Sequence, residues 1–269
     1  MTPFEDFRGL HLPSAAGPLV LPNAWDHASA AALAEAGFRA IGTTSLGVAA
    51  AAGKPDATGG TRAETVQLAR GLVRMDALIS VDIEGGFSSD PGEVARLAAE
   101  LADAGVVGVN IEDGRSDGSL ADLDRQCEVI RAVKDAVPDL FLNARTDTHW
   151  LPGHTEQTAR RADAYQHAGA DGLFVPGLQD GPEITALIRD LAVPLNILVS
   201  PAGPSVGELA ALGVRRISCG SLLFRAALHA AVSTARAVAE SSALPAGDSG
   251  IPSYAQAQSL SDRFGTTGS

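Results

Sequence analysis

Residues 78–112 read LISVDIEGGFSSDPGEVARLAAELADAGVVGVNIE, and this stretch decides the fold. It opens with a short β-branched run, Leu78–Asp82, and closes with another, Gly108–Glu112. Between them Val94, Leu97, Ala98 and Leu101 recur at the spacing of one helix face. Asp90-Pro91-Gly92-Glu93 supplies an N-cap, a first-turn proline and an N3 glutamate. Gly105 follows the segment where a left-handed residue ends a helix. Strand, helix, strand in so short a span is a βαβ unit with parallel strands.

The unit repeats in both directions. Further strand-like runs are Leu19–Pro22, Ala40–Thr43, Leu140–Ala144, Gly172–Val175, Leu195–Val199 and Arg215–Cys219, which makes eight with the first two. They read as continuous apolar runs, as expected of parallel strands covered on both faces. Leu123, Cys127, Ile130 and Val133 form a second helical stripe. Ser205-Val206-Gly207-Glu208 is a capping box, and Gly169 and Gly213 stand at helix ends. An open doubly wound sheet would carry a Gly-rich turn after its first strand. Here that strand runs into Pro22-Asn23-Ala24-Trp25-Asp26. The expected fold is therefore α/β, a closed (β/α)8 TIM barrel, and the 269 residues match the roughly 250 that such a barrel uses. Residues 1–240 form the barrel domain in this reading. Residues 241–269 form a peripheral or oligomer-contacting tail with one helical stretch around Tyr254–Phe264.

Composition narrows the function. Twenty Lys and Arg against thirty-two Asp and Glu give a net charge of −12, which argues against nucleic acid and anionic membranes as partners. Two cysteines, Cys127 and Cys219, make no disulfide framework. No signal-peptide pattern or membrane-length apolar run is legible, so a cytoplasmic protein is expected.

Chemistry in such a barrel collects where the strands end. Trp25, Asp26 and His27 follow the first strand, and Thr44-Ser45-Leu46-Gly47 the second, with Lys54 and Asp56 on the loop beyond. Asp82 and Glu84 follow the third, Glu112 and Asp113 the fourth. Arg145 and Asp147 follow the fifth, and Asn196 lies on the seventh. Convergent carboxylates repel unless a cation joins them. All-oxygen ligands select a hard ion, Mg²⁺ with Mn²⁺ as substitute, so Asp82, Glu84 and Glu112 are candidate metal residues. Arg145 either grips a substrate carboxylate or pairs with Asp147 or Glu112. Neither lysine, Lys54 nor Lys134, sits on a strand, which disfavours Schiff-base chemistry.

These stretches resemble the phosphoenolpyruvate mutase/isocitrate lyase superfamily from about Leu19 to Ala230. The resemblance rests on Pro22–Asp26, Thr44–Gly47, Pro55-Asp56, Asp82–Gly86, Asn110–Asp113 and Asn143–Asp147. It implies a barrel whose last helix is swapped between protomers of a dimer or tetramer. It implies Mg²⁺ at Asp82, with Glu84, Glu112 and Asp56 acting through waters. It implies a 2-oxo acid carboxylate held by Arg145 and the Ser45, Leu46 and Gly47 backbone. The implied chemistry passes through an enolate. Trp25 and Asn196 are placed with the substrate, and Arg145, Glu112 and Asp56 are the catalytic candidates, Asp56 assisting proton transfer.

Three departures stand out. Glu84 replaces an Asp of the family pattern. The loop Asp113–Leu120, read as a gating lid, lacks the Cys of the lyase branch and the Lys and Asn of the mutase branch. The sixth strand ends Phe174-Val175-Pro176-Gly177 where the family often has His or Glu. The leading expectation is a Mg²⁺-dependent carbon–carbon lyase acting on a small carboxylic acid. The alternatives are a P–C bond mutase or hydrolase acting on phosphonopyruvate, and a barrel that binds an oxo acid without turnover.

Overall fold

The computed structural model describes residues 1–14, 16–240 and 250–265. Nine parallel strands form one sheet: β1 Leu19–Leu21, β2 Asn23–Ala24, β3 Ala40–Thr43, β4 Leu78–Asp82, β5 Gly108–Glu112, β6 Phe141–Arg145, β7 Gly172–Phe174, β8 Leu195–Leu198 and β9 Arg216–Ser218. The helices are α1 Pro3–Gly9, α2 His27–Glu35, α3 Ser45–Ala51, α4 Arg62–Leu72, α5 Pro91–Ala104, α6 Leu123–Ala136, α7 Thr158–His167, α8 Gly181–Asp190, α9 Val206–Leu212, α10 Leu222–Ala239 and α11 Tyr254–Ser259.

The barrel closes through the chain itself. Sheet order runs β1-β9-β8-β7-β6-β5-β4-β3-β2, and β1 and β2 are consecutive pieces of one strand parted at Pro22. Proline has no N–H to give a ladder. β1 therefore pairs with β9 and β2 with β3, and the carbonyl of Pro22 still accepts the Gly42 N–H at 2.8 Å. The eight expected strands are thus eight staves, with the first broken.

The strands are not apolar on both faces, which corrects the reading of continuous runs. Ile79, Val81, Val109, Ile111, Leu142, Ala144, Leu173, Ile197 and Ile217 face the helices in one large core. Their neighbours Ser80, Asn110, Asn143, Asn196, Arg216 and Ser218 are buried on the barrel axis, where all but Ser80 bond to one another. Asn143 Nδ2 donates to Asn110 Oδ1 at 2.9 Å, and Arg216 Nη2 donates to the same oxygen at 3.2 Å. A second small core closes the base, where α1 inserts Phe7 against Leu21, Ala40, Val107 and Phe141. The imidazole of His11 stacks on Phe141 at 4.3 Å. Burial and the Arg216 charge hold it neutral, lowering its pKa to about 3.

The helices form as their caps and stripes require. Asp90 accepts the Glu93 N–H at 3.0 Å, Gly105 ends α5 at φ 111°, and Val94, Leu97, Ala98 and Leu101 are buried. Ser205 and Glu208 make the reciprocal box that starts α9. Only Phe224 of α10 is buried, and Leu228, Val232 and Val238 are at least half exposed. Tyr254–Phe264 is helical, and Leu260 and Phe264 pack back on the core. Residues 241–249 of the tail lie outside the described residues. Among the described residues no helix is long and apolar enough to cross a membrane.

Candidate active site

A cavity of about 180 Å³ opens where the strands end. That is below the ~300–1,000 Å³ of drug-sized ligand sites, so its occupant is small. One side is acidic, with Asp56, Asp82, Glu112 and Asp147 around the guanidinium of Arg145. The other is apolar, with Leu46, Trp150, Leu151, Phe174, Pro176 and Leu198.

Arg145 ends β6 inside a clamp. Its Nη1 lies 2.7 Å from Glu112 Oε2, and its Nε donates to Asp147 Oδ1 at 2.6 Å. Its face lies 5.7 Å from the Phe174 ring. Of the two roles open for Arg145 on spacing, the structure shows the ion pairs. Burial opposes its charge, but Glu112, Asp147 and Asp82 outweigh burial and hold it firmly protonated.

The carboxylates show the opposite balance. Burial lifts Asp82 to about 6, and the charges of Asp56 and Glu84 add to the shift against the pull of Arg145. Glu112 is pushed up to about 8, first by burial and then by Asp82, Asp147 and Asp56. Asp147 is raised by burial too. Such strained acids relax when a cation arrives. Asp56 Oδ1 is buried with no hydrogen-bond partner among the described residues, a free lone pair that suits a cation or its water. Among the described residues no group of three or more His, Cys, Asp or Glu side chains is placed to hold a metal ion. Mg²⁺ keeps several waters and takes one or two carboxylates, so the residues fit it as an open, water-bridged site.

The other sequence candidates fall in different places. Ser45 and Leu46 line the cavity, and Ser45, Leu46 and Gly47 are the first residues of α3. Their N–H groups therefore have no intrahelical partner. Gly47 also packs on Trp25: a Cβ there would sit 2.6 Å from Trp25 Cβ. Trp25 is turned from the cavity and meets Phe224 of α10 edge-on at 5.5 Å. Asn196 is buried on the axis and exchanges hydrogen bonds with Ser218. Glu84 bonds to the next loop, accepting from Gly59 N–H at 2.9 Å and Thr61 Oγ1 at 2.7 Å. Lys54 is tied to the Gly60 carbonyl and Glu64.

Three residues that line the cavity were not singled out from sequence. Asn23, Asn110 and Ser218 line the cavity from inside the strands, where period-two alternation is their only signal. Asn23 Oδ1 accepts the Cys219 and Gly220 N–H groups, fixing the seam of the barrel. Asp113 is a buried hub. Its carboxylate accepts from Tyr165 Oη at 2.6 Å, Thr146 Oγ1 at 2.8 Å, Asp147 N–H at 2.8 Å and Arg161 Nη1 at 3.2 Å. It thereby sets the loop that carries Asp147. Arg115, in the turn that Gly114 and Leu120 bridge, reaches the cavity from above.

Fold and site together define a class: α/β barrels with an acidic mouth and a buried arginine clamp. The family model of phosphoenolpyruvate phosphomutase matches residues 7–239, and the chain belongs to the phosphoenolpyruvate mutase/isocitrate lyase superfamily, whose members are lyases and mutases. It is 44% identical over 230 residues to an uncharacterized protein of Mycobacterium tuberculosis strain H37Rv, covering 85% of this chain and 87% of that one. It is 35% identical to 2-methylisocitrate lyase of Bacillus subtilis strain 168 over 193 residues, 68% of this chain and 64% of the relative. The crystal structure of a protein of Burkholderia cenocepacia J2315, provisionally named a lyase/mutase, superposes with a TM-score of 0.86 at 35% identity, over 96% of each chain.

Proposed function

We propose that the protein is a Mg²⁺-dependent carbon–carbon lyase that acts on a small carboxylic acid through a 2-oxo acid enolate. The observation that carries this reading is the gathering of Asp56, Asp82, Glu112 and Arg145 around one small cavity. Bound Mg²⁺, or Mn²⁺ in its place, would offset the negative charge that develops on the enolate oxygen. Asp82 would hold the ion, and Glu112 and Asp56 would reach it through waters. Arg145, aimed by Glu112 and Asp147, presents fixed positive charge to the substrate carboxylate. The free N–H groups of Ser45, Leu46 and Gly47 share that load. The lid bearing Arg115 closes over the mouth and excludes water. A relative named 2-methylisocitrate lyase supports cleavage of a C–C bond.

The test is release of a 2-oxo acid from a panel of substituted malates and citrate-like acids, with and without Mg²⁺. Asp82→Ala should abolish Mg²⁺ binding in calorimetry and leave the circular dichroism unchanged. Undiminished Mg²⁺ affinity in that variant would overturn the metal assignment. One observation favours P–C chemistry as second reading: Arg115 at the cavity mouth suits a dianionic group. Turnover of phosphonopyruvate but of no malate would establish it. We also propose that α10 packs on a second copy of the chain, as its exposed Leu228, Val232 and Val238 suit a homo-oligomer.

A further inference from the structure

Glu84 stands where the family pattern has an aspartate at the metal. The residue is 3% exposed, and both carboxylate oxygens are engaged away from the main cavity. Oε2 accepts the Gly59 N–H and Oε1 accepts the Thr61 hydroxyl. Thr61 is the N-cap residue of α4, where a threonine oxygen ordinarily accepts a backbone N–H of the first turn. It makes no such bond among the described residues, and its hydroxyl serves Glu84 instead. The loop that Glu84 grips carries Asp56, and the Oδ1 of Asp56 has no bond of its own among the described residues. Something else must set the position of that oxygen.

Backbone strain points the same way. Ala57, Glu84 and Phe87 have φ of 55°, 49° and 56°, left-handed values that residues with a Cβ rarely adopt. All three lie in the two loops that Glu84 joins. Strained backbone persists only where surrounding bonds over-determine it. Lys54 holds the outer side of the loop through the Gly60 carbonyl, and Glu84 holds the inner side.

We propose that Glu84 is a positioning residue: a latch that holds the Asp56 loop in its strained conformation and so aims Asp56 into the active-site cavity, rather than a carboxylate that serves the metal. The extra methylene of glutamate supplies the reach to Gly59 and Thr61. The consequence for Asp56 rests on the proposed metal-assisted reading; the latch itself does not.

Two variants of the full-length protein separate length from charge. Glu84→Gln keeps the length, and its amide can still accept from Gly59 and donate to Thr61 Oγ1. Glu84→Asp keeps the charge and restores the family residue, but is too short to span both partners. Amide exchange in the peptide covering residues 55–61 should quicken about tenfold or more in Glu84→Asp, the loss of one charge-assisted bond, and much less in Glu84→Gln. Thr61→Val should quicken the same peptide without touching any carboxylate. Mn²⁺ affinity, read by electron paramagnetic resonance, should stay within about twofold in Glu84→Gln, whereas neutralising a carboxylate that orients metal waters would weaken it about 10–100-fold. On a substrate that the wild type turns over, Glu84→Gln should retain more activity than Glu84→Asp.

The reverse order overturns the proposal: Mn²⁺ lost in Glu84→Gln and kept in Glu84→Asp, or exchange at 55–61 unchanged in both Glu84→Asp and Thr61→Val. If the wild type binds no Mn²⁺, the metal-assisted function falls, and the exchange contrast still decides the latch.

Discussion

Tyr165→Phe isolates the hub beneath the arginine clamp. The phenol of Tyr165, on α7, donates to Asp113 Oδ2 at 2.6 Å and accepts from Arg161 Nη1 at 3.0 Å, and all three groups are buried. Burial first, and the Asp113 charge second, hold the hydroxyl protonated far above its ordinary range, so it remains a donor at any working pH. Phenylalanine fills the same space, so the variant removes the bond and leaves almost no cavity. A hydrogen bond to a charged group contributes about 1.5–3 kcal/mol. Asp113 keeps Arg161, Thr146 and the Asp147 N–H, which places the loss at that scale and no higher. Arg161→Met goes further, because it strips the only cation paired with Asp113 among the described residues. Breaking a buried pair from one side costs about 3–5 kcal/mol. Urea denaturation followed by tryptophan fluorescence and far-ultraviolet circular dichroism measures both. A Tyr165→Phe loss under about 0.5 kcal/mol, the scatter of ordinary surface changes, would refute the view that Asp113 depends on this bond. So would a larger loss for Tyr165→Phe than for Arg161→Met.

Three further outcomes are expected. Glu112 has its folded pKa raised to about 8 from 4.5, so the native state binds the extra proton and stability falls as pH rises through that window. Without divalent cations the urea midpoint should be higher at pH 6.5 than at pH 8.5, and the trend should flatten in Glu112→Gln; below pH 6.5 the buried neutral His11 opposes it. A Cβ at Gly114 would overlap Asp147 Oδ2, so Gly114→Ala should shift the partner of Arg145, destabilise by about 1–3 kcal/mol and lower turnover. Normal turnover in that variant would show that Asp147 does not set Arg145. Leu228→Asp on exposed α10 should convert an oligomer to monomers in light scattering; an unchanged mass would move the subunit contact elsewhere.

Much of this fold could be read from the chain, because strand ends and helix caps are local. Leu78–Asp82 and Gly108–Glu112 have the bounds their β-branched runs suggest, and Asp90 and Gly105 bracket α5 as their chemistry requires. Asp82, Glu112 and Arg145 were legible as cavity residues because each is a charge at a strand end, and Asp56 because its loop follows β3 and α3 on the same side of the barrel. The alternation was not. Asn110, Asn143 and Asn196 interrupt runs of Val, Ile and Leu singly, and one polar residue in a short strand does not reveal which face it takes. The split at Pro22 depends on which neighbours pair, a property of barrel closure. Glu84 was read as part of the acidic group because sequence gives its position but not its direction. Its partners, Gly59 and Thr61, lie on another loop. Trp150 and Leu151 reach the cavity through a turn after β6, with no pattern to announce them.

The polar axis has an evolutionary consequence. Most (β/α)8 barrels fill the interior with stacked branched side chains, so the same residues hold the barrel together and border its mouth. Here cohesion comes from the annulus between strands and helices, and the axis is a column of Asn, Ser and Arg joined by hydrogen bonds. Paired substitutions that keep the column's hydrogen bonds complete can retune the mouth from below while the annulus is left untouched. A lineage built this way can change its chemistry without first losing its shape.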